Sequence, residues 1–475
     1  MGHVIKQEDQ RGLLQLDAAS LYKNIIKLGW PVMVGSALHM TFNLVDVFWV
    51  SRLGAVQVAI PALAGSLLWL FMSLTEAINI GTVSMISRFE GARQRQLMSH
   101  VVVHSFWLAL LMAMLVGGAV FLWAEPLLRL FTDDVSLLPA AISFIRITAV
   151  GLIFTFAVFS ITGALNGIGD TLSPMLVMMA TNGFNILLDP LLIFGLPEIP
   201  WLSFGGWAGV GVLGAAWATL AANVVALAIL LFILFRRKEL AVTSLLAPFN
   251  LSIVKNILGI GLPACLQSAA RSSTGTILFW LVMSGYGTAA AAAFGAGQRM
   301  IAFAFVFLSG LMVAATTLTG QTLGKGDREL ARFTARRLVV LGLAIQVLVG
   351  LFYIAIAVPV SNLFLGDNAQ ALAAGISYVR IIGIGLALGA STVVVGGIFK
   401  GSGHTVPTFL AGFIANWLIK LPVAALGTLV FSWPIEGIWW AISMSVVVEY
   451  GILLFWLQRG TWLEREIKVD QAPAG

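Results

Sequence analysis

Charge is scarce in this sequence. Lys, Arg, Asp and Glu supply 10% of its 475 residues, against about one-quarter in an ordinary soluble domain. Hydrophobic types supply 59%, which excludes an ordinary soluble fold and points to solvation by lipid. Cysteine is nearly absent: Cys265 alone, inside an apolar run, excludes an intramolecular disulfide and is expected to be a packed thiol. The five histidines are scattered without metal-binding spacing, which disfavours a membrane-embedded metalloenzyme. The first 27 residues are polar and lack a short apolar region followed by a small-residue cleavage site, so no removable leader is expected.

Long uncharged runs recur from Ile25 to Leu457, and about 20 apolar residues suffice to cross a bilayer core. Twelve helices are expected near 24–52, 58–86, 97–122, 137–163, 172–195, 209–235, 252–284, 290–320, 331–357, 372–400, 405–430 and 436–458. The net charge of +6 lies between these spans and does not suggest nucleic acid. With the N-terminus inside, Lys6, Arg11, Lys23, Lys27, Arg88, Arg93, Arg95, Arg236, Arg237, Lys238, Lys325, Arg328, Arg336, Lys400 and Arg459 gather on the cytoplasmic side. Arg52 and Arg129 are the only basic residues on the other side, with Glu125, Asp133, Asp134, Glu198, Asp367 and Glu436. This positive-inside bias places both termini in the cytoplasm of a multi-pass inner-membrane protein, with the basic loops near anionic lipid headgroups.

The spans repeat as two six-helix units. Leu28-Gly29-Trp30-Pro31 returns as Ile260-Gly261-Leu262-Pro263, and the loop beginning at Gly91 returns at Gly324. Ser143-Phe144-Ile145-Arg146 returns as Ser377-Tyr378-Val379-Arg380, and Asn166 to Thr171 returns as Lys400 to Thr405. An even number of spans per copy gives both the same orientation, related by an axis along the membrane normal, so the cleft between them is the expected substrate site. The expected organisation is an N-terminal segment 1–23, an N-lobe 24–235, a linker 236–251, a C-lobe 252–458 and a tail 459–475. The Gly167-Ile168-Gly169 and Gly401-Ser402-Gly403 turns follow no strand and are expected to be tight interhelical turns, not phosphate cradles.

Intramembrane carboxylates cost about 2.5–3.5 kcal/mol each at a helix centre, so Asp46, Glu76, Asp189 and Glu449 each require a reason. Asp46 and Asp189 sit at matching depths near the outer ends of their helices, and Asn182, Asn185 and Asp189 share one helical face. Hard oxygen ligands there suit sodium, and two close carboxyls equally suit one shared proton. The alternative is that they only tie helices together. Glu76 relays protons, lines the cleft or bonds a neighbouring helix, and Glu449 is expected to pair with Arg271, Arg299 or Lys420. His39 lies deeper than Asp46, and His404 is expected to be solvated. Pro31 can bend the first helix and so link Asp46 to the shape of the cleft.

The repeat together with Asn43-Leu44-Val45-Asp46, Ala164 to Thr171, Asn185-Ile186-Leu187-Leu188-Asp189-Pro190 and Gly214-Ala215-Ala216-Trp217-Ala218-Thr219 resembles the multidrug and toxic compound extrusion (MATE) family over roughly residues 24 to 458. The resemblance implies an all-α, V-shaped pair of lobes that exports amphipathic, often cationic, drug-like compounds in exchange for sodium or protons, with no cofactor and as a monomer. It also implies that Asp46, Asn185, Asp189 and Thr219 form an N-lobe cation site, with Glu76 and Asn182 secondary. Members of another bacterial branch carry a glutamate in the seventh span. Residues 252–284 contain no acid, so coupling is expected in the N-lobe. A flippase for a lipid-linked precursor, an enzyme and a non-transporting scaffold are the competing readings. Arg271, Arg299 and Lys420 bear on the first, and the paired carboxylates argue against the last.

Overall fold

The computed structural model describes residues 14, 17–131, 134, 137–196, 207–366, 368–389 and 391–469. Lys6, Arg11, Asp133, Glu198 and Asp367, which entered the charge pattern, lie outside the described residues. The N-terminal half comprises α1 (Leu21–Ser51), α2 (Ala55–Gly91), α3 (Arg95–Leu122), a short α4 (Ala124–Arg129), α5 (Leu138–Ile168), α6 (Leu172–Phe194) and α7 (Val212–Arg236). A two-residue antiparallel pair, β1 (Gly195–Leu196) and β2 (Trp207–Ala208), closes the hairpin between α6 and α7. The C-terminal half begins with α8 (Leu251–Gly324), two limbs divided at Gly287, whose φ of 81° only glycine adopts readily. Then come α9 (Arg328–Leu365), α10 (Ala369–Leu388), α11 (Thr392–Ser402), α12 (Val406–Phe413), a π-helical turn (Ile414–Lys420), α13 (Leu421–Leu429), α14 (Ile435–Arg459) and α15 (Thr461–Glu464).

Ten of these segments are long and apolar enough to cross a bilayer. The two limbs of α8 count twice, and α2 supplies the twelfth span. Lipid-facing positions such as Leu115, Leu122, Phe232, Leu348 and Leu363 leave large side chains exposed, as a bilayer solvent allows.

The repeat is visible in the seam between the lobes, because contacts across it come in pairs. In the register that lays Pro31 on Pro263 and Gly91 on Gly324, the Ser36–Ser309 hydrogen bond (2.9 Å) corresponds to the Ser268–Glu76 bond (2.5 Å). In that register the approach of Gly310 to Gly29 corresponds to that of Gly261 to Ala77, and Gly91 against Gln321 corresponds to Gly324 against Arg88. A Cβ on Gly261 would lie 1.9 Å from the Ala77 carbonyl oxygen, and one on Gly91 would lie 2.0 Å from that of Gln321. Glycine is required here because backbone meets backbone. The seam runs from the ends of α2 and α8 at Gly91 and Gly324 to mid-helix at Ser73 and Ser309. Beyond that depth the V opens.

Gly169 and Gly403, equivalent in the repeat, end α5 and α11 with φ of 89° and 75°, the tight turns expected of them. The 237–250 linker lies along α3: Asn250 N–H donates to His104 Nε2 at 2.8 Å and Trp107 Nε1 to the Leu245 carbonyl at 2.7 Å. After α14 the chain folds back rather than trailing away. Trp462 is buried, Arg88 donates to the Arg465 carbonyl, and Asn256 donates to the Lys468 carbonyl at 2.8 Å.

One expectation is corrected and one refined. Lys400, counted among the cytoplasmic charges, is buried at the end of α11, where Glu76 across the seam offers it a partner at 3.4 Å. His404, expected to be solvated, is not: its ring rests against Phe399 and its Nδ1 is buried. Burial, and then Arg465, hold that imidazole below its ordinary pKa.

Candidate functional site

Asp46 and Asp189 each stand five positions before the ends of their helices, at Ser51 and Phe194. At about 1.5 Å per residue they therefore occupy one depth, and α1 packs on α6, so their carboxyls come within hydrogen-bonding contact. Asn185, one turn before Asp189, places its amide between them. One amide atom lies 3.4 Å from Asp189 Oδ1; with the nitrogen turned the other way it is 3.2 Å from Asp189 Oδ2 and 3.3 Å from Asp46 Oδ1. Asp189 and Asn185 are fully buried and Asp46 is partly so. Two carboxyls this close in a dry pocket require a cation or a shared proton between them. The oxygens of Asp46, Asp189 and Asn185 match the donor preference of sodium.

The remaining expected residues divide. Asn182 donates to the Leu38 carbonyl at 3.1 Å and ties α6 to α1 below the acidic pair. Thr219 lies half-buried on α7, and among the described residues no hydrogen bond joins it to the pair. Pro31 is buried inside α1, a turn below the Ser36–Ser309 bridge. Glu76 lies at the seam, where it accepts from Ser268 at 2.5 Å and pairs with Lys400 at 3.4 Å, both from the other lobe.

A second polar cluster occupies the C-lobe. Arg271 bonds Glu449 at 3.2 Å, Gln267 donates to the same Glu449 oxygen at 3.2 Å, and Lys420 donates to Asn416 Oδ1. Glu449 thus takes one of the three bases named for it, while Arg299 is exposed. Sequence reasoning did not single out Gln267, Ser268 or Asn416. The repeat held a signal: in the register that lays Gly169 on Gly403, Asn182 falls on Asn416, and in that of Pro31 on Pro263, His39 falls on Arg271.

The family model described as MatE matches residues 31–191 and 263–426, one block in each lobe. Among curated relatives, the probable multidrug resistance protein NorM of Thermotoga maritima is 27% identical over 453 residues, 95% of each chain. The probable multidrug resistance protein YpnP of Bacillus subtilis is 23% identical, covering 93% of this chain and 96% of its own. A solved structure of MATE in the straight conformation is 26% identical with a TM-score of 0.85, covering 96% of this chain and 99% of that one. An outward-facing multidrug resistance MATE family transporter is 25% identical with a TM-score of 0.85, covering 97% and 100%. With both halves matched in order and the whole fold superposable on these transporters, the chain belongs to the MatE family.

Proposed function

We propose that the protein is a secondary active multidrug efflux transporter that exports amphipathic, often cationic organic compounds in exchange for sodium ions or protons. The observation that carries this reading is the Asp46–Asn185–Asp189 constellation, two carboxyls and an amide held together at one depth in the N-lobe. The names of its relatives support efflux of drugs, and the basic residues on the termini side support cytoplasmic N- and C-termini in the inner membrane. With the termini inside, the glycine seam seals the cytoplasmic end and the cleft faces outward. The lobes, residues 24–235 and 252–458, rock about this seam.

A coupling ion changes the conformational balance only through different affinities for the two states. In the outward-open state the acidic pair draws sodium or a proton from the cleft. Filling the pair removes the repulsion between the carboxyls and lets α1 and α6 pack closer, which favours closure at the outer end. Opening inward then exposes the cavity to drug, whose positive charge competes for the same carboxylates. Asn185 holds their spacing through its bonds to both, and Thr219 supplies a further hydroxyl from α7.

Dye efflux from proteoliposomes under a sodium gradient, a proton gradient or neither tests the reading. Gradient-driven export by the parental protein that disappears in Asp46→Asn and Asp189→Asn variants of normal yield supports it. Export at the parental rate in both variants overturns it.

A further inference from the structure

We infer that the C-lobe cluster of Arg271, Lys420, Asn416, Gln267 and Glu449 is an anion-binding subsite at the floor of the cleft, and that it takes the carboxylate of an amphiphilic substrate. The inference rests on reading the cleft as the substrate path, but its test needs no gradient and no transport.

The first observation is charge. Arg271 and Lys420 face one carboxylate, Glu449, which is 4% exposed. Glu449 Oε1 already receives both Gln267 and Arg271. Lys420, 8% exposed, has no carboxylate within ion-pair reach among the described residues, and the acceptor it does find is the neutral Asn416. An ammonium has three N–H donors and a guanidinium five, so the cluster presents more donors than acceptors and one positive charge in excess. A buried surplus of that kind is relieved by an acceptor-rich anion, and a guanidinium beside an ammonium suits a carboxylate.

The second observation is access. On the first limb of α8, Ile257, Gly261, Cys265 and Ser268 meet α2 across the seam, at Gly81, Ala77, Ser73 and Glu76. Arg271 comes one turn later, on the side of the helix that Gln267 shares, past the seam contacts at Cys265 and Ser268. Its side chain remains 41% exposed although it is paired. A guanidinium does not face hydrocarbon at this depth, so the exposed part looks into the opening V. Its repeat counterpart on α1, His39, is also exposed, one turn past Ser36. The two positions flank the floor of the cleft.

The third observation is local backbone. The helix crossing the C-lobe here widens into a π turn over Ile414–Lys420, and Asn416 and Lys420 are bonded to each other within it. The equivalent helix of the N-lobe, α6, runs as an ordinary α-helix through Asn182 and Asn185. Such single π turns recur where a helix presents functional side chains. The substrate class of this transporter then includes amphiphiles that carry a carboxylate, with the cationic or apolar remainder toward the N-lobe.

The test is equilibrium binding of dansylglycine and of its methyl ester to the full-length protein in lipid nanodiscs, followed by dansyl fluorescence. The acid should bind about tenfold more tightly than the ester, the scale of one charge-assisted contact. Arg271→Gln and Lys420→Gln should each remove that preference and leave ester binding unchanged, which reports an intact fold, while Lys420→Arg should retain it. Asp46→Asn should keep the preference even where it abolishes export, separating this subsite from the coupling reading. Equal binding of acid and ester by the parental protein overturns the inference. So does a preference for the acid that persists in both glutamine variants, or one that chloride alone saturates while the acid does not compete.

Discussion

The two lobes share one scaffold and carry opposite charge. In the repeat register, Asp46 and Asp189 of the N-lobe fall on Leu278 and Val423, while Arg271 and Lys420 of the C-lobe fall on His39 and Ile186. The seam between them has kept its symmetry: glycine faces backbone at Gly29 and Gly310, at Gly261 and Ala77, and at Gly91 and Gly324 with their partners. The difference teaches where the sequence was free to change. Where backbone touches backbone, the approaching glycine admits no side chain in either copy. A cavity wall tolerates any side chain whose charge finds a partner, so the polar sites diverged while the glycines at Gly29/Gly261 and Gly91/Gly324 did not.

The comparison breaks most severely if the coupling charge is removed. Asp46→Asn and Asp189→Asn should each lower gradient-driven efflux by more than about a hundredfold. Glu449→Gln should keep cation-driven efflux within about threefold, since the amide still bonds Arg271 and Gln267. Equal loss in all three, measured in proteoliposomes and normalised to folded protein, would spread coupling over both lobes.

The next largest effect should come from the seam. Gly261→Val places a Cβ against the Ala77 carbonyl, whereas Gly259→Val, with nothing within 4 Å, is its control on the same helix. Gly261→Val should cut efflux by about tenfold or more and hold apart spin labels replacing Arg93 and Arg328. In the parental protein that distance should change with coupling ion or dye. A distance constant under all conditions in the parental protein would remove the rocking of the lobes.

A sharper contrast sets Asn185 against Asn416. Asn185→Ala should raise the half-saturating cation concentration about tenfold with little change in maximal rate, because it loosens the spacing of the carboxyls. Asn416→Ala should leave that constant unchanged. The Glu76–Lys400 pair tests the seam by charge instead: Glu76→Gln and Lys400→Met should each slow efflux about threefold, with no further loss in the double variant. Additive losses would show that the two residues act separately. Thr219→Ala should have the smallest effect, within about twofold, since among the described residues no hydrogen bond joins this α7 hydroxyl to the pair.

Much of this architecture was legible along the chain. Long uncharged runs announce spans because lipid offers backbone groups no partner, and paired motifs announce the repeat because each sits at a turn or a close approach. Asp46 and Asp189 stood out because a charge in such a run is costly. The partners of Glu76 and Lys400 did not stand out. They lie 324 residues apart, and a lysine following an apolar span reads as a loop residue until the opposite lobe supplies its carboxylate.

By itself the sequence determined twelve spans, two parallel lobes, the acidic face of α6 and the basic side of the membrane, all of which follow from period, depth and charge along one strand of chain. The tertiary structure decided which lobe offers which charge to the cleft. Whether Arg271 is a neutralised glue residue or an exposed cation depends on where the seam ends and on how many donors compete for Glu449. Those are distances between helices, and no periodicity within one helix encodes them.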